Sequence, residues 1–200
     1  MRYLFVLVLL STPMWAFEGL PALHNPITVV VSAERPLAPE AMKELQAEMA
    51  NLLKQGNRPV EWKRLDEMGV GVSVSDLVMV KFRGDCRMEM SPMLLDERGP
   101  LAFTHTTDGE VLPFSEVLCD KVKMAARSAM HGGQIASGNK LMGRALARVL
   151  AHEIWHMTAN THKHSKTGVA KSSLSGAQLI ADTLEFDGHS AHQLTQKTAR

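Results

Sequence analysis

The feature that most constrains the fold is a long helical pattern in the last third of the chain, over residues 141–159. Its apolar side chains recur at helical spacing: Met142, Leu146, Leu150, Ile154 and Met157. Because such a stripe is stable only when it is buried, we expect this face to point into the core. His152 and His156 are four residues apart on a different face, so one imidazole lies above the other.

These two histidines belong to the motif His152-Glu153-Ile154-Trp155-His156, an HExxH sequence. Imidazoles at positions i and i+4 of a helix project from one face and can bind one zinc ion together. Glu153 lies beside that face, where a carboxylate can take a proton from a water molecule activated by the metal. The motif predicts peptide hydrolysis with Glu153 as general base. Two solvated histidines on an exposed helical face are the alternative interpretation.

A catalytic zinc requires a third protein ligand. Two candidates follow the motif: His162, ten residues after His152, and His164, twelve residues after it. Spacing alone leaves both open.

The residues from His152 to His162 resemble the metzincin signature HExxHxxGxxH, with Ala159 in place of the glycine. The turn at that glycine favours positive φ, which Asn160 tolerates better than Ala159 does. If the turn lies at Asn160, the third ligand also comes later. Residues 164–171, His-Ser-Lys-Thr-Gly-Val-Ala-Lys, are similar to a group of short exported bacterial metzincin-like zinc metallopeptidases. In that group the later histidine binds the metal. The resemblance therefore favours His164, with His162 as the alternative third ligand.

The resemblance implies an α+β fold: a twisted mixed sheet with an N-terminal helix, a zinc-binding active-site helix and a C-terminal helix. It also implies a peptide or protein substrate that pairs with an edge strand, for which residues 101–105 are placed suitably. Two positions depart from the metzincin pattern. No methionine follows Met157, so Ala170 stands where the Met-turn methionine would be, and the only tyrosine is Tyr3. A non-catalytic zinc-binding or peptide-binding exported domain is the alternative function.

Hydrophobic periodicity predicts the remaining elements. Strands are expected at 27–31, 60–65, 77–82, 101–105 and 111–117, and Asp108-Gly109 predicts a hairpin between the last two. Helices are expected at 40–54, 120–130 and 141–159, and a last one runs from a capping box at Ser175 to about residue 186.

The first 16 residues have the order of an export signal: Arg2, an apolar run over residues 3–10, and the small residue Ala16 before the expected cleavage site. We therefore expect a signal peptide at 1–16, a metallopeptidase-like domain at 17–187 and a flexible tail at 188–200, located in the periplasm or outside the cell. No later stretch is long and apolar enough to span a membrane. The formal net charge of +1 gives no electrostatic reason to expect nucleic acid as a partner.

The two cysteines, Cys86 and Cys119, are interpreted as one disulfide, since an exported chain meets an oxidising compartment. Two buried free thiols are the alternative. Arg144 and Arg148 are expected to be solvated surface charges, and Trp155 is expected to pack rather than bind substrate. His105, near the hairpin, is expected to be exposed, with a place in the cleft as the alternative.

Overall fold

The computed structural model describes residues 25–69, 74, 76–89 and 99–195, so the expected signal peptide at 1–16 lies outside the described residues. The chain folds as an α+β domain around a five-stranded mixed sheet. The strands are β1 (Ile27–Ala33), β2 (Val60–Arg64), β3 (Leu77–Arg83), β4 (Ala102–Thr107) and β5 (Glu110–Leu118). Their spatial order is β2-β1-β3-β5-β4, and only β4 runs antiparallel to its neighbour. Strand β4 is therefore an edge strand.

Strands β4 and β5 form the hairpin that the sequence predicts. Its two-residue loop is Asp108-Gly109, and both residues have positive φ, 48° and 82°. Positive φ at both central positions suits the tight turns that match strand twist, and the Asp-Gly pair tolerates it. The local turn chemistry thus fixes where the edge strand lies.

The helices are α1 (Pro39–Lys54), α2 (Cys119–Ser128), α3 (Gly138–Ala159), α4 (Gly176–Ile180) and α5 (Gly188–Thr195), with short 3₁₀ turns at Leu65–Glu67 and Gly132–Ser137. Every residue of the apolar stripe on α3 is buried: Met142, Leu146, Leu150, Ile154 and Met157. Helix α1 packs closely on α3. At their contact, a Cβ on Gly143 would lie 2.2 Å from the Ala41 carbonyl oxygen, so only glycine allows this approach.

The expectation that Arg144 and Arg148 are solvated surface charges was wrong. The Arg148 side chain is completely buried, and its Nε donates a 2.8 Å hydrogen bond to Glu48. Arg144 lies one helical turn earlier and donates a 3.2 Å hydrogen bond to Glu44. The acidic residues lie four positions apart on α1, and the arginines lie four positions apart on α3. This pairing between helices explains the burial, since a buried charge is tolerated when it is paired.

The C-terminal region also differs from expectation. The capping box at Ser175 is present, but its helix α4 ends at Ile180. The first eight residues of the expected flexible tail instead form α5, where Ser190 and Leu194 are completely buried. Leu194 packs so closely on Gly56 that a Cβ there would lie 2.4 Å from the Leu194 Cβ. Leu194 is the only large apolar residue of α5, which explains why composition suggested a loose tail.

Cys86 and Cys119 form the expected disulfide, and both residues are completely buried. The bond joins the segment that follows β3 to the first residue of α2. Among the helices of the described residues, none has the length and apolar character needed to cross a membrane.

Candidate metal centre

Three histidines converge at the C-terminal end of α3. His156 Nε2 lies 3.0 Å from His152 Nε2 and 3.2 Å from His164 Nε2. The ligand atoms of all three residues lie within 4.8 Å of one another, and the three could hold a metal ion. His162 is exposed and does not belong to this group, although it lines the same cleft. The structure thus brings together the histidine pair of the motif and the later of the two candidates.

The outer nitrogens of the two helical histidines are each held by a backbone carbonyl. His152 Nδ1 lies 2.8 Å from the Val169 oxygen, and His156 Nδ1 lies 2.6 Å from the Thr161 oxygen. Because a carbonyl oxygen only accepts hydrogen bonds, each Nδ1 carries the ring proton of a neutral imidazole. The Nε2 atoms of both rings therefore turn their lone pairs toward the centre of the group, as in metal-binding histidines.

Burial lowers the pKa of His156 to about 4 and also lowers the pKa of His152. Both rings are consequently neutral near pH 7. Two inward lone pairs 3.0 Å apart repel each other unless a cation lies between them. Two nitrogens bound to one tetrahedral zinc at about 2.0–2.1 Å would be separated by about 3.3 Å. The donor set could therefore hold a metal ion.

The turn that ends α3 lies at Asn160, one residue after the glycine position of the metzincin signature. Asn160 has left-handed backbone angles, φ 44° and ψ 54°, whereas Ala159 is still helical. Its side-chain oxygen accepts a 3.2 Å hydrogen bond from the Val111 N–H on β5. This contact fixes the direction in which the chain leaves the helix, and His164 follows four residues later. The late turn suggested by the sequence is present.

A compact loop carries His164 back to the helix. The Ser165 N–H donates to the Ala170 oxygen at 2.9 Å, and the Val169 N–H donates to the Glu185 oxygen at 2.9 Å. Val169 and Ala170 are completely buried. Gly168 has φ +70°, and a Cβ there would lie 2.4 Å from the Glu185 oxygen. Glycine is therefore required at this position by both conformation and space.

Glu153 is only 7% exposed, and its Oε2 accepts a 2.6 Å hydrogen bond from the Thr104 hydroxyl on β4. Burial raises the pKa of Glu153, while the Thr104 hydrogen bond acts in the opposite direction. The contact fixes one carboxylate oxygen against the edge strand. Thr104 could not be identified from local sequence patterns, since nothing near it in the sequence links it to a motif 49 residues away.

A cleft of about 550 Å³ opens over the three histidines and Glu153. Its lining includes Thr104 and Thr106 of the edge strand and residues 171–174. Apolar side chains also line it, among them Leu101, Val149 and Leu174. The cleft thus extends to the edge strand, and its polar histidines could orient a ligand.

Two other aromatic residues near the motif lie outside the histidine group. The His105 ring makes tilted contacts with Phe103 and Phe114, and its Nε2 lies 3.4 Å from a Glu116 oxygen. His105 is not among the residues that line the cleft. Trp155 is 2% exposed and its indole N–H donates to Gln193, which confirms that it packs.

Comparisons with known proteins found no matching family model, and no curated protein or solved structure with significant similarity to the chain.

Proposed function

We propose that the protein is an exported, zinc-dependent peptidase of metzincin-like type. The single observation that carries the proposal is the convergence of three imidazole Nε2 atoms beside a buried glutamate, at the floor of an open cleft. His152, His156 and His164 would hold the zinc, and Glu153 would act as general base.

Each side chain has a definite task in this proposal. Zinc held by His152, His156 and His164 would supply Lewis acidity, which would lower the pKa of a water molecule and polarise a carbonyl group. Glu153 would accept the proton of the attacking water, with the Thr104 hydroxyl hydrogen-bonded to its Oε2. Thr104 keeps the carboxylate oriented toward the cleft. The carbonyls of Val169 and Thr161 keep the rings of His152 and His156 in the tautomer that can bind metal.

The open edge of β4 supports a peptide as the substrate. Because β4 pairs with β5 on one side only, its other edge is without a neighbouring strand in the described sheet. An extended peptide can add to such an edge through main-chain hydrogen bonds. Thr104 and Thr106 bring this edge into the same cleft as Glu153. A peptide bound there would cross the metal centre in an extended conformation.

The metzincin-like assignment rests on the motif and on the turn that follows it. Asn160 supplies the left-handed residue, and His164 returns to the helix after a longer loop than the signature specifies. Export rests on residues 1–16 as a signal peptide, and the Cys86–Cys119 disulfide is compatible with an oxidising compartment. Periplasmic and extracellular locations both satisfy these features.

A non-catalytic zinc-binding or peptide-binding domain is the second candidate. It is supported by Ala170 in place of the Met-turn methionine and by the absence of a tyrosine after Tyr3. Against it stands the buried Glu153 carboxylate, which a purely structural zinc site does not need. Glu153 therefore provides the decisive test.

The test compares wild type with Glu153→Gln on a mixed peptide library, with cleavage followed by mass spectrometry and zinc measured in the same preparations. We expect the variant to keep zinc and to lose at least about 100-fold in cleavage rate, since it cannot accept the proton. Glu61→Gln, on the opposite sheet edge, is the matched control and should cleave as wild type does. Equal cleavage by wild type and Glu153→Gln would refute the enzyme proposal, and zinc binding without cleavage in wild type would favour the non-catalytic domain.

A further inference from the structure

We propose that α5 positions the third metal ligand, His164, through hydrogen bonds from Ser165 to Ser190 and from Ser190 to Asp187. The inference rests on the metal site of the proposed function and extends that site to the C-terminal helix. Ser190 and Asp187 are positioning residues in this scheme, because neither touches the metal or the substrate.

The two serine hydroxyls and the aspartate form a continuous chain of hydrogen bonds. Ser165 Oγ lies 2.9 Å from Ser190 Oγ, and the Ser190 hydroxyl donates to Asp187 Oδ2 at 3.0 Å. The Asp187 carboxylate also accepts a side-chain hydrogen bond from Ser165, so both serines are attached to it. The Ser190 N–H also donates to Asp187 Oδ1 at 3.0 Å. Ser165 is therefore attached to the beginning of α5 through both Ser190 and Asp187.

His164 needs such support more than the other two histidines do. His152 and His156 project from a long helix, and a carbonyl holds the Nδ1 of each ring. His164 is exposed and lies on a loop, and within the described part of the chain no hydrogen bond reaches its Nδ1. The position of the His164 ring therefore depends on the backbone of the loop. Ser165, the next residue, holds that backbone in place.

Helix α5 is a firm point of attachment for that loop. Ser190 is completely buried, and so is Leu194 one turn later, where it packs on Gly56 after α1. Gln193 accepts a 3.2 Å hydrogen bond from the Trp155 indole N–H on α3. The helix is thus attached to the same element that carries His152 and His156. Helix α5 thus holds the His164 loop in a fixed position relative to α3.

Loss of the Ser165–Ser190 bond would free the loop before metal binding. The ordering of His164 would then have to occur when the metal binds, and the affinity would fall. A contact of this kind beyond the direct ligands typically changes metal affinity by about 10–100-fold when it is removed. Because Ser165 bonds both Ser190 and Asp187, the double variant should bind metal no more weakly than Ser165→Ala alone.

The experiment measures zinc affinity of the full chain by competition with a chromogenic chelator, and follows Co²⁺ binding by visible absorption. The variants are Ser165→Ala, Ser190→Ala and the double variant. We expect each single variant to bind zinc about 10-fold more weakly and the double variant to bind no more weakly than Ser165→Ala alone.

The matched control is Ser115→Ala. Ser115 is also completely buried, and its hydroxyl donates to the Phe103 carbonyl on the sheet, outside the histidine group. This variant should unfold at a lower denaturant concentration while keeping wild-type zinc affinity. Unchanged affinity in Ser190→Ala would overturn the inference, as would an additive loss in the double variant. If Ser115→Ala weakens zinc binding as much as Ser190→Ala does, the effect is one of general stability and the inference also fails. Wild type that binds no zinc would overturn the metal site itself together with this inference.

Discussion

The hydroxyl of Thr104 donates a 2.6 Å hydrogen bond to Glu153 and so links the edge strand β4 to the helix α3 that bears the motif. This bond holds Oε2 of the buried carboxylate against β4. The residue that would activate water is therefore oriented by the strand that would bind the peptide. A change at Thr104 should affect the reaction without affecting the metal.

Replacement of Thr104 by valine tests this separation. Valine keeps the β-branched shape of threonine and removes the hydroxyl, leaving the buried carboxylate with one hydrogen bond fewer. We expect kcat to fall about 10-fold or more, with zinc content unchanged and KM little altered. Steady-state kinetics on a peptide substrate and elemental mass spectrometry measure both. Thr106→Val, two residues along the same wall of the cleft, is the control and should retain kcat; a similar loss in both variants would contradict the role of Thr104.

The identity of the third ligand can be established by zinc content. The purified chain should hold about one zinc ion, and His164→Ala should lose most of it, because two histidines alone rarely bind zinc tightly. His162→Ala should retain it, since His162 lies outside the convergent group. Elemental mass spectrometry of the three proteins gives the result. Loss of zinc in His162→Ala alone would show that the assignment of the two histidines is reversed.

Gly109 and Gly168 have similar positive φ, so they make a matched pair for testing the loop that carries His164. A Cβ added to Gly109 (φ +82°) would have no atom within 4 Å, whereas a Cβ added to Gly168 (φ +70°) would meet the Glu185 oxygen. Gly109→Ala should therefore destabilise the protein by only about 1–2 kcal/mol, the conformational cost alone. Gly168→Ala should cost more and should also weaken zinc binding, because the adjacent Val169 carbonyl holds His152. Denaturant unfolding and chelator competition measure the two effects, and equal behaviour of both variants would contradict this explanation.

The buried Arg148–Glu48 pair predicts a distinctive pattern of stability. Arg148→Met leaves the Glu48 carboxylate without its partner in a mostly buried position, so we expect a loss of about 3–5 kcal/mol. The double variant Glu48→Met/Arg148→Met should recover much of that loss, since no unpaired charge remains. Urea unfolding of wild type, both single variants and the double variant completes the cycle. Simple additivity of the two single losses would argue against a direct interaction.

The sequence predicts much of this fold because its local patterns agree with the tertiary structure. The stripe on α3 is buried as its period requires, and the Asp108-Gly109 turn defines the hairpin. The histidine pair could be predicted for the same reason, since residues i and i+4 of a helix lie on the same face whatever surrounds the helix. The disulfide follows from having only two cysteines.

Contacts between distant elements were not predictable in this way. Arg148 looks like a surface residue until the acidic residues of α1 are placed opposite it, 100 residues away. Thr104 and Ser190 have no local motif, and their importance depends on which strand and which loop lie beside them. The helix at the C-terminus was not predicted because the burial of Leu194 depends on its packing against Gly56, which has no side chain. Each of these features depends on contacts between residues that are far apart in sequence, and hydrophobic periodicity cannot predict such contacts.

The packing of α1 against α3 also has a consequence for the order of events in folding. Residues 100 positions apart must meet before the helix with His152 and His156 is fully surrounded. Chains that depend on such distant contacts fold more slowly than chains dominated by local ones. The histidine group should therefore assemble late, after the rate-limiting step. A metal ion that binds only there would leave the refolding rate almost unchanged and would act by slowing unfolding.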